Sequence, residues 1–213
     1  MFQKRFFFLG ERLAVDFLNT VVEQGGRVDD LLERPGAVAA WARAARVLRG
    51  GDLQFGGLAR PHAVRALRNF REELRRGLVA WAATSAFSPR LLSLLNRSLA
   101  EDPEIVTLIV RHGAVITRRE HGGDPLARLY GALARSAAEM LQHDTPGRLR
   151  KCAWCRLMFY DVSKAGRRRW CSMQLCGARA KARAFRQRVR NASKDQEPPP
   201  TSNKTSATPS ASS

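Results

Sequence analysis

The chain reads as a mainly α protein: a helical N-terminal domain with one small β-hairpin, then a treble-clef-like four-cysteine finger built as knuckle, hairpin and helix. Three observations predict this. Apolar residues recur at helical spacing through most of residues 1–145. A single β-branched stretch lies near residues 104–117. All four cysteines of the 213 residues, Cys152, Cys155, Cys171 and Cys176, fall in one short segment at metal-ligand spacing.

Taken in order, residues 6–9 have the composition of a short strand. Residues 12–22 carry Leu13, Phe17, Leu18 and Val21 on one helical face, and Gly25-Gly26 ends that run. Asp29-Asp30-Leu31-Leu32 predicts a helical turn. Pro35 sits at the first turn of a helix reaching residue 48, with Trp41, Ala42 and Ala45 apolar. Residues 61–83 form an amphipathic helix with Val64, Leu67, Phe70, Leu74, Leu78 and Trp81 inward. Ser88-Pro89 supplies a cap and a first-turn proline for a helix to residue 99. Residues 104–120 predict a hairpin turning at His112-Gly113. Asp124-Pro125 opens a last long helix with Leu126, Leu129, Tyr130, Leu133, Ala137, Met140 and Leu141 inward.

This domain shows no catalytic pattern. His62, His112, His121 and His143 are scattered, with no acid or nucleophile at a meaningful spacing. Asp16 and Asn19, one helical turn apart, either face a pocket or bond local backbone groups, and the local reading is preferred. The chain is therefore read as a non-enzyme.

The cysteines form C-x2-C and C-x4-C pairs separated by fifteen residues. Four thiolates at such spacing suit tetrahedral zinc, closing the coordination sphere and leaving no open position for a water, so the metal is structural. Two disulfides would need an oxidising compartment, and no secretory signal is visible. A redox C-x-x-C belongs beside a βαβ pattern, which is absent, while an iron–sulfur cluster also accepts four cysteines. Residues 157–162 have strand composition, Ser163 to Gly166 is a turn, and residues 167–171 return as the second strand. Ser172 caps a helix running from Met173 to Arg190. Trp154, Phe159, Trp170 and Phe185 are the apolar bulk of this small module. On that reading, replacing a ligand unfolds the finger and leaves the N-terminal helices in place.

Charge is concentrated in the finger. The chain carries +18, and residues 148–190 contribute +13 of it with one acid, Asp161. Arg179, Arg183, Arg186 and Arg190 recur along one helical face, beside an apolar stripe of Ala178, Ala182, Phe185 and Val189. Lys181 and the run Arg167, Arg168 and Arg169 add to it. This set of eight basic residues predicts a nucleic-acid-binding surface, because guanidinium groups fork onto phosphates and guanine edges. DNA is favoured over RNA, to which Trp154, Tyr160 and Trp170 would offer stacking faces. A zinc-stabilised module for an acidic protein partner is the reading from another class. No run spans a bilayer, so no membrane partner is expected, and the reading is cytoplasmic, admitting association with the nucleoid. Residues 191–213, rich in Pro, Ser and Thr, are expected to be a disordered tail.

Several runs here resemble a known finger. Cys152-x2-Cys155, Phe159-Tyr160-Asp161-x-Ser163 and Arg168-Arg169-Trp170-Cys171-Ser172-Met173-x2-Cys176-Gly177-Ala178-Arg179-Ala180-Lys181 are similar to the CGNR zinc finger. Leu13-Ala14-Val15-Asp16-Phe17-Leu18-Asn19-Thr20 resembles the signature of the ABATE domain, which precedes that finger in bacterial proteins. The resemblance implies zinc on Cys152, Cys155, Cys171 and Cys176, and a bacterial transcription regulator that binds DNA through the finger. It divides the chain into a helical domain over 1–145, a finger over 146–190 and the tail. The helical domain would serve effector sensing or homo-oligomerisation. One departure stands out: Ala178 occupies the position of the asparagine in Cys-Gly-Asn-Arg. Zinc binding survives that change, because Ala178 is not a ligand, while sequence specificity loses whatever the amide supplied.

Overall fold

A computed structural model describes residues 6–24 and 26–195. The chain forms two compact units, Met1–Gly177 and Ala178–Ser213. The first unit contains α1 (Leu13–Leu18), β1 (Val21–Gln24), β2 (Arg27–Asp30), α2 (Ala37–Ala44), α3 (Pro61–Thr84) and α4 (Pro89–Glu101). It continues through β3 (Glu104–Arg111), β4 (Ala114–His121), α5 (Pro125–His143), β5 (Leu149–Lys151) and β6 (Met158–Tyr160). The second unit, among the described residues, is α6 (Ala178–Asp195).

The long helices lie where the periodicity places them. Ser88 and Asp124 cap α4 and α5, accepting from the Leu91 amide and from the Leu126 and Ala127 amides. α5 packs against α1 and α4, and α3 packs against α1 and α4 as well. The shared core holds Phe17, Trp41, Leu67, Leu74, Leu78, Leu129 and Leu133, all buried. Gly131 of α5 lets the helix close on Asp102: a Cβ there would lie 2.5 Å from the carboxylate. The hairpin of β3 and β4 also forms as expected, turning at His112 and Gly113, both with positive φ.

Several local expectations are corrected. Residues 6–9 form no strand; Gly10 makes a single ladder-like contact, its carbonyl accepting from the Tyr160 amide at 2.9 Å. The first helix ends at Leu18 instead of residue 22. There the Thr20 hydroxyl donates to the Phe17 carbonyl at 2.7 Å, and the β-branched pair Val21-Val22 enters β1. Gly26 turns the chain, and β1 pairs with β2 in a hairpin that helical periodicity concealed. Asp30 at its end forms a two-pronged ion pair with Arg71 of α3, at 2.7 and 2.9 Å, and also caps the turn Leu31–Glu33. α2 is shorter than expected because Gly36 and Arg46, both left-handed, bracket it. α6 extends five residues past the expected end at Arg190, to Asp195. The tail beyond it lies outside the described residues.

The finger's hairpin is also corrected. β6 pairs with β5 and not with residues 167–171. The Cys152–Cys155 knuckle is therefore the turn of that hairpin. Residues 167–171 instead lie against the knuckle, with the Arg169 carbonyl accepting from the Ala153 amide at 2.9 Å.

Candidate metal centre and basic helix

β6 is three residues long and buried throughout. Side chains alternate along a strand, and here the alternation joins two cores. Met158 and Tyr160 belong to the helical core with Leu149 of β5, while Phe159 packs with Cys152, Cys171 and Cys176. Leu9, Trp154 and Trp170 close round that second cluster. The finger is thus not an independent bead with its own small core. Phe185, expected to belong to it, is 61% exposed.

The four cysteines converge. Their Sγ atoms all lie within 4.8 Å of one another. Cys171 is 3.6 Å from both Cys155 and Cys176, far beyond disulfide length. Zinc–sulfur bonds of ~2.3 Å at tetrahedral angles set sulfurs roughly 3.8 Å apart, so the cluster has the dimensions of such a site. The electrostatics of the bare thiols point the same way. The contact with Cys171 holds the Cys155 thiol down at about 5, burial pushes Cys176 up to about 12, and Cys171, crowded by the other thiols, is also pushed up. Crowded sulfurs share protons because they repel as thiolates, and a divalent cation at their centre removes that repulsion.

Backbone geometry sets the four cysteines in place. In the knuckle, Cys152 donates its amide to the Leu157 carbonyl at 2.8 Å, and Arg156 takes a left-handed φ of 67° to complete the turn. On the other side, Ser172 accepts the Leu175 amide, and the wide turn Met173–Gly177 carries Cys176 inward. Asp161, fully buried, ties the two halves by accepting from the Ser163 amide and hydroxyl and from the Arg168 amide. Burial opposes its charge, but these donors outweigh burial and hold the carboxyl below its ordinary range.

The signature Asp16 and Asn19 proves to be a clamp on this hairpin. Asn19 Nδ2 donates to the Met158 carbonyl at 2.9 Å, and its Oδ1 accepts the Met158 amide at 2.8 Å. Asp16 accepts the Gly10 amide at 2.7 Å, and the Gly10 carbonyl in turn holds the Tyr160 amide. The expected local bonding is correct for Asp16 and wrong for Asn19, whose partner lies 139 positions away. Arg12 adds a further tie, ion-paired to Asp144 and lying over the Tyr160 ring.

The eight basic positions divide into two groups. Arg179, Lys181, Arg183, Arg186 and Arg190 are all exposed on α6, in the second unit. Arg167 and Arg169 are exposed in the first unit, Arg169 lying over the Trp170 ring. Arg168 is structurally engaged: its guanidinium donates to the Cys171 carbonyl and lies over the Phe159 ring. Arg148 was not foreseen as part of the site. Its guanidinium donates to the Asp161 and Ser163 carbonyls at 2.9 and 2.6 Å, latching the turn after β6. Nothing in its local sequence distinguishes it from the other arginines.

Residues 11–144 match the family described as "ABATE: Putative stress-induced transcription regulator". The chain belongs to the ABATE family. Residues 148–189 match the CGNR zinc finger, so this ABATE protein carries both elements that its motifs resemble. A comparison with curated proteins finds no match. Among the described residues of this ABATE protein, no helix is long and apolar enough to cross a membrane.

Proposed function

We propose that this ABATE protein is a non-enzymatic, zinc-dependent transcription regulator that binds duplex DNA. Cys152, Cys155, Cys171 and Cys176 hold one zinc ion, which fixes the knuckle and the turn Met173–Gly177 and does no chemistry. The observation that carries the DNA reading is α6, an 18-residue helix. Its residues 181–190 are all exposed and include no acid. Arg179, Arg183, Arg186 and Arg190 share one face of this helix. With +13 spread over residues 148–190, the region repels itself unless a polyanion neutralises it. Arginines on phosphates supply affinity, and a helix of this width fits a major groove.

Duplex is preferred to unpaired RNA because the aromatic side chains are spent on packing. Tyr160 is buried, and its hydroxyl accepts the Thr145 amide at 2.8 Å. Trp154 and Trp170 pack against the cysteine cluster.

Fluorescence anisotropy with labelled duplex DNA over a salt series tests this reading. Log affinity falls with log salt at a slope of about −0.9 per phosphate neutralised. The Arg179→Ala/Arg183→Ala/Arg186→Ala variant lowers the slope by roughly two to three and keeps its zinc. Binding that ignores salt, or a tighter complex with single-stranded RNA at every salt, overturns it.

A further inference from the structure

The hairpin of β3 and β4 is the most exposed of the three two-stranded sheets among the described residues. It is a sheet of two strands only, and neither outer edge is paired among the described residues. Nearly every residue in it is exposed, including Val106, Leu108, Val110 and Val115. Leu108, Val110 and Val115 are 70%, 74% and 68% exposed. A two-stranded ribbon is marginal in water by itself, and an apolar open edge invites another strand.

The two edges differ. β4 carries Arg118 and Arg119, the charges that normally guard an open strand. β3 carries none between its ends: residues 105–110 are Ile, Val, Thr, Leu, Ile and Val, flanked by Glu104 and Arg111. Such a run, without charge or proline, is the composition that pairs with other strands.

The register selects the partner. Arg111 faces Ala114 across the two-residue turn. In such a hairpin that pair exchanges backbone hydrogen bonds, so the odd-numbered residues of β3 bond to β4. Glu104, Val106, Leu108 and Val110 therefore turn their amides and carbonyls to the open edge. A second β3 running antiparallel, with its two-fold axis at Leu108, meets these groups in register. Val106 then stands opposite Val110 of the second copy, Leu108 opposite Leu108, and Glu104 opposite His112. No like charges face each other, although the chain as a whole carries +18. An acidic partner finds no cation between positions 104 and 111 on this edge, whereas an identical edge finds apolar side chains against apolar ones.

We propose that the β3 edge is a homodimer interface, in which two copies pair antiparallel about Leu108 to form a four-stranded sheet. The contact is self-complementary, as a two-fold interface must be. It stands independently of the DNA reading.

Sedimentation of the full-length, zinc-loaded protein across a concentration series tests the proposal. A monomer–dimer equilibrium is expected for the parent. Leu108→Lys and Leu108→Glu each place like charges on the two-fold axis and weaken the dimer roughly tenfold or more. Mixing the two variants restores a dimer of one copy of each. As a check that needs no variant, hydrogen exchange is expected to slow at the Val106, Leu108 and Val110 amides as concentration rises. A parent that stays monomeric throughout, or a dimer indifferent to both variants and with no concentration-dependent protection at those amides, overturns the proposal.

Discussion

Asn19 is a buried polar residue with both of its side-chain amide groups committed to one backbone position. Its amide replaces a missing neighbour strand for Met158, satisfying both the donor and the acceptor of a buried backbone position. Asn19→Ala leaves both groups buried without partners, at about 1–3 kcal/mol each. Asn19→Asp costs at least as much, because a carboxylate oxygen then faces the Met158 carbonyl. Urea unfolding of the zinc-loaded variants checks both, and a loss below about 1 kcal/mol for either contradicts the clamp. Asp16 gives a pH signature. Burial pushes its carboxyl up to about 6 from 3.8, against the opposing pull of the Gly10 and Leu9 amides. The folded chain therefore holds this proton more tightly than the unfolded chain. Its contribution to stability is least favourable above about pH 6 and improves as pH falls toward 3.8. Asp16→Asn keeps an acceptor for Gly10 and flattens this slope between about pH 6 and 3.8, read from urea midpoints. A variant with the parent's slope contradicts the assignment.

At the scale of elements, the knuckle stores a local strain that a single change relieves. Arg156 is exposed and left-handed at φ 67°, a conformation that costs a side chain with a Cβ about 1–2 kcal/mol. Arg156→Gly is expected to stabilise the finger by up to about 1 kcal/mol with zinc content unchanged. A destabilised variant in thermal melts would show that the arginine's own contacts outweigh the strain. The same scale shows what the sequence made legible. α3, α4 and α5 were readable because long apolar stripes coincide with Pro, Ser and Asp at their starts. The β3–β4 hairpin was readable from its β-branched run and its His112-Gly113 turn. The β1–β2 hairpin was hidden because Val21 also fits the helical stripe of α1, and the ion pair of Asp30 with Arg71 that anchors it is a long-range contact. The pairing of β5 with β6 was missed for a related reason. Leu149–Lys151 is too short and too basic to read as a strand, and burial of Leu149, Met158 and Tyr160 in the helical core holds it in place. The four cysteines were legible as a cluster because spacing alone constrains them. The clamp by Asn19 was not, because no local pattern encodes a partner 139 positions away.

At the scale of the molecule, the finger and the helical domain share material. Leu149, Met158 and Tyr160 enter the main core, Phe159 and Leu9 enter the cysteine cluster, and Asn19, Asp16 and Arg12 stitch the boundary. The expectation that a ligand replacement spares the N-terminal helices is revised accordingly. Zinc binding contributes on the order of 10 kcal/mol or more to small zinc folds. On the proposed zinc reading, part of that energy is expected to reach the helices through β5 and β6. Differential scanning calorimetry of the first unit's unfolding, in the intact chain with zinc, after chelation and after zinc is restored, tests this coupling most directly. The account predicts one cooperative transition that falls by on the order of 10 °C or more on chelation and recovers with zinc. A helical transition that keeps its midpoint while the cysteine finger melts separately would contradict it.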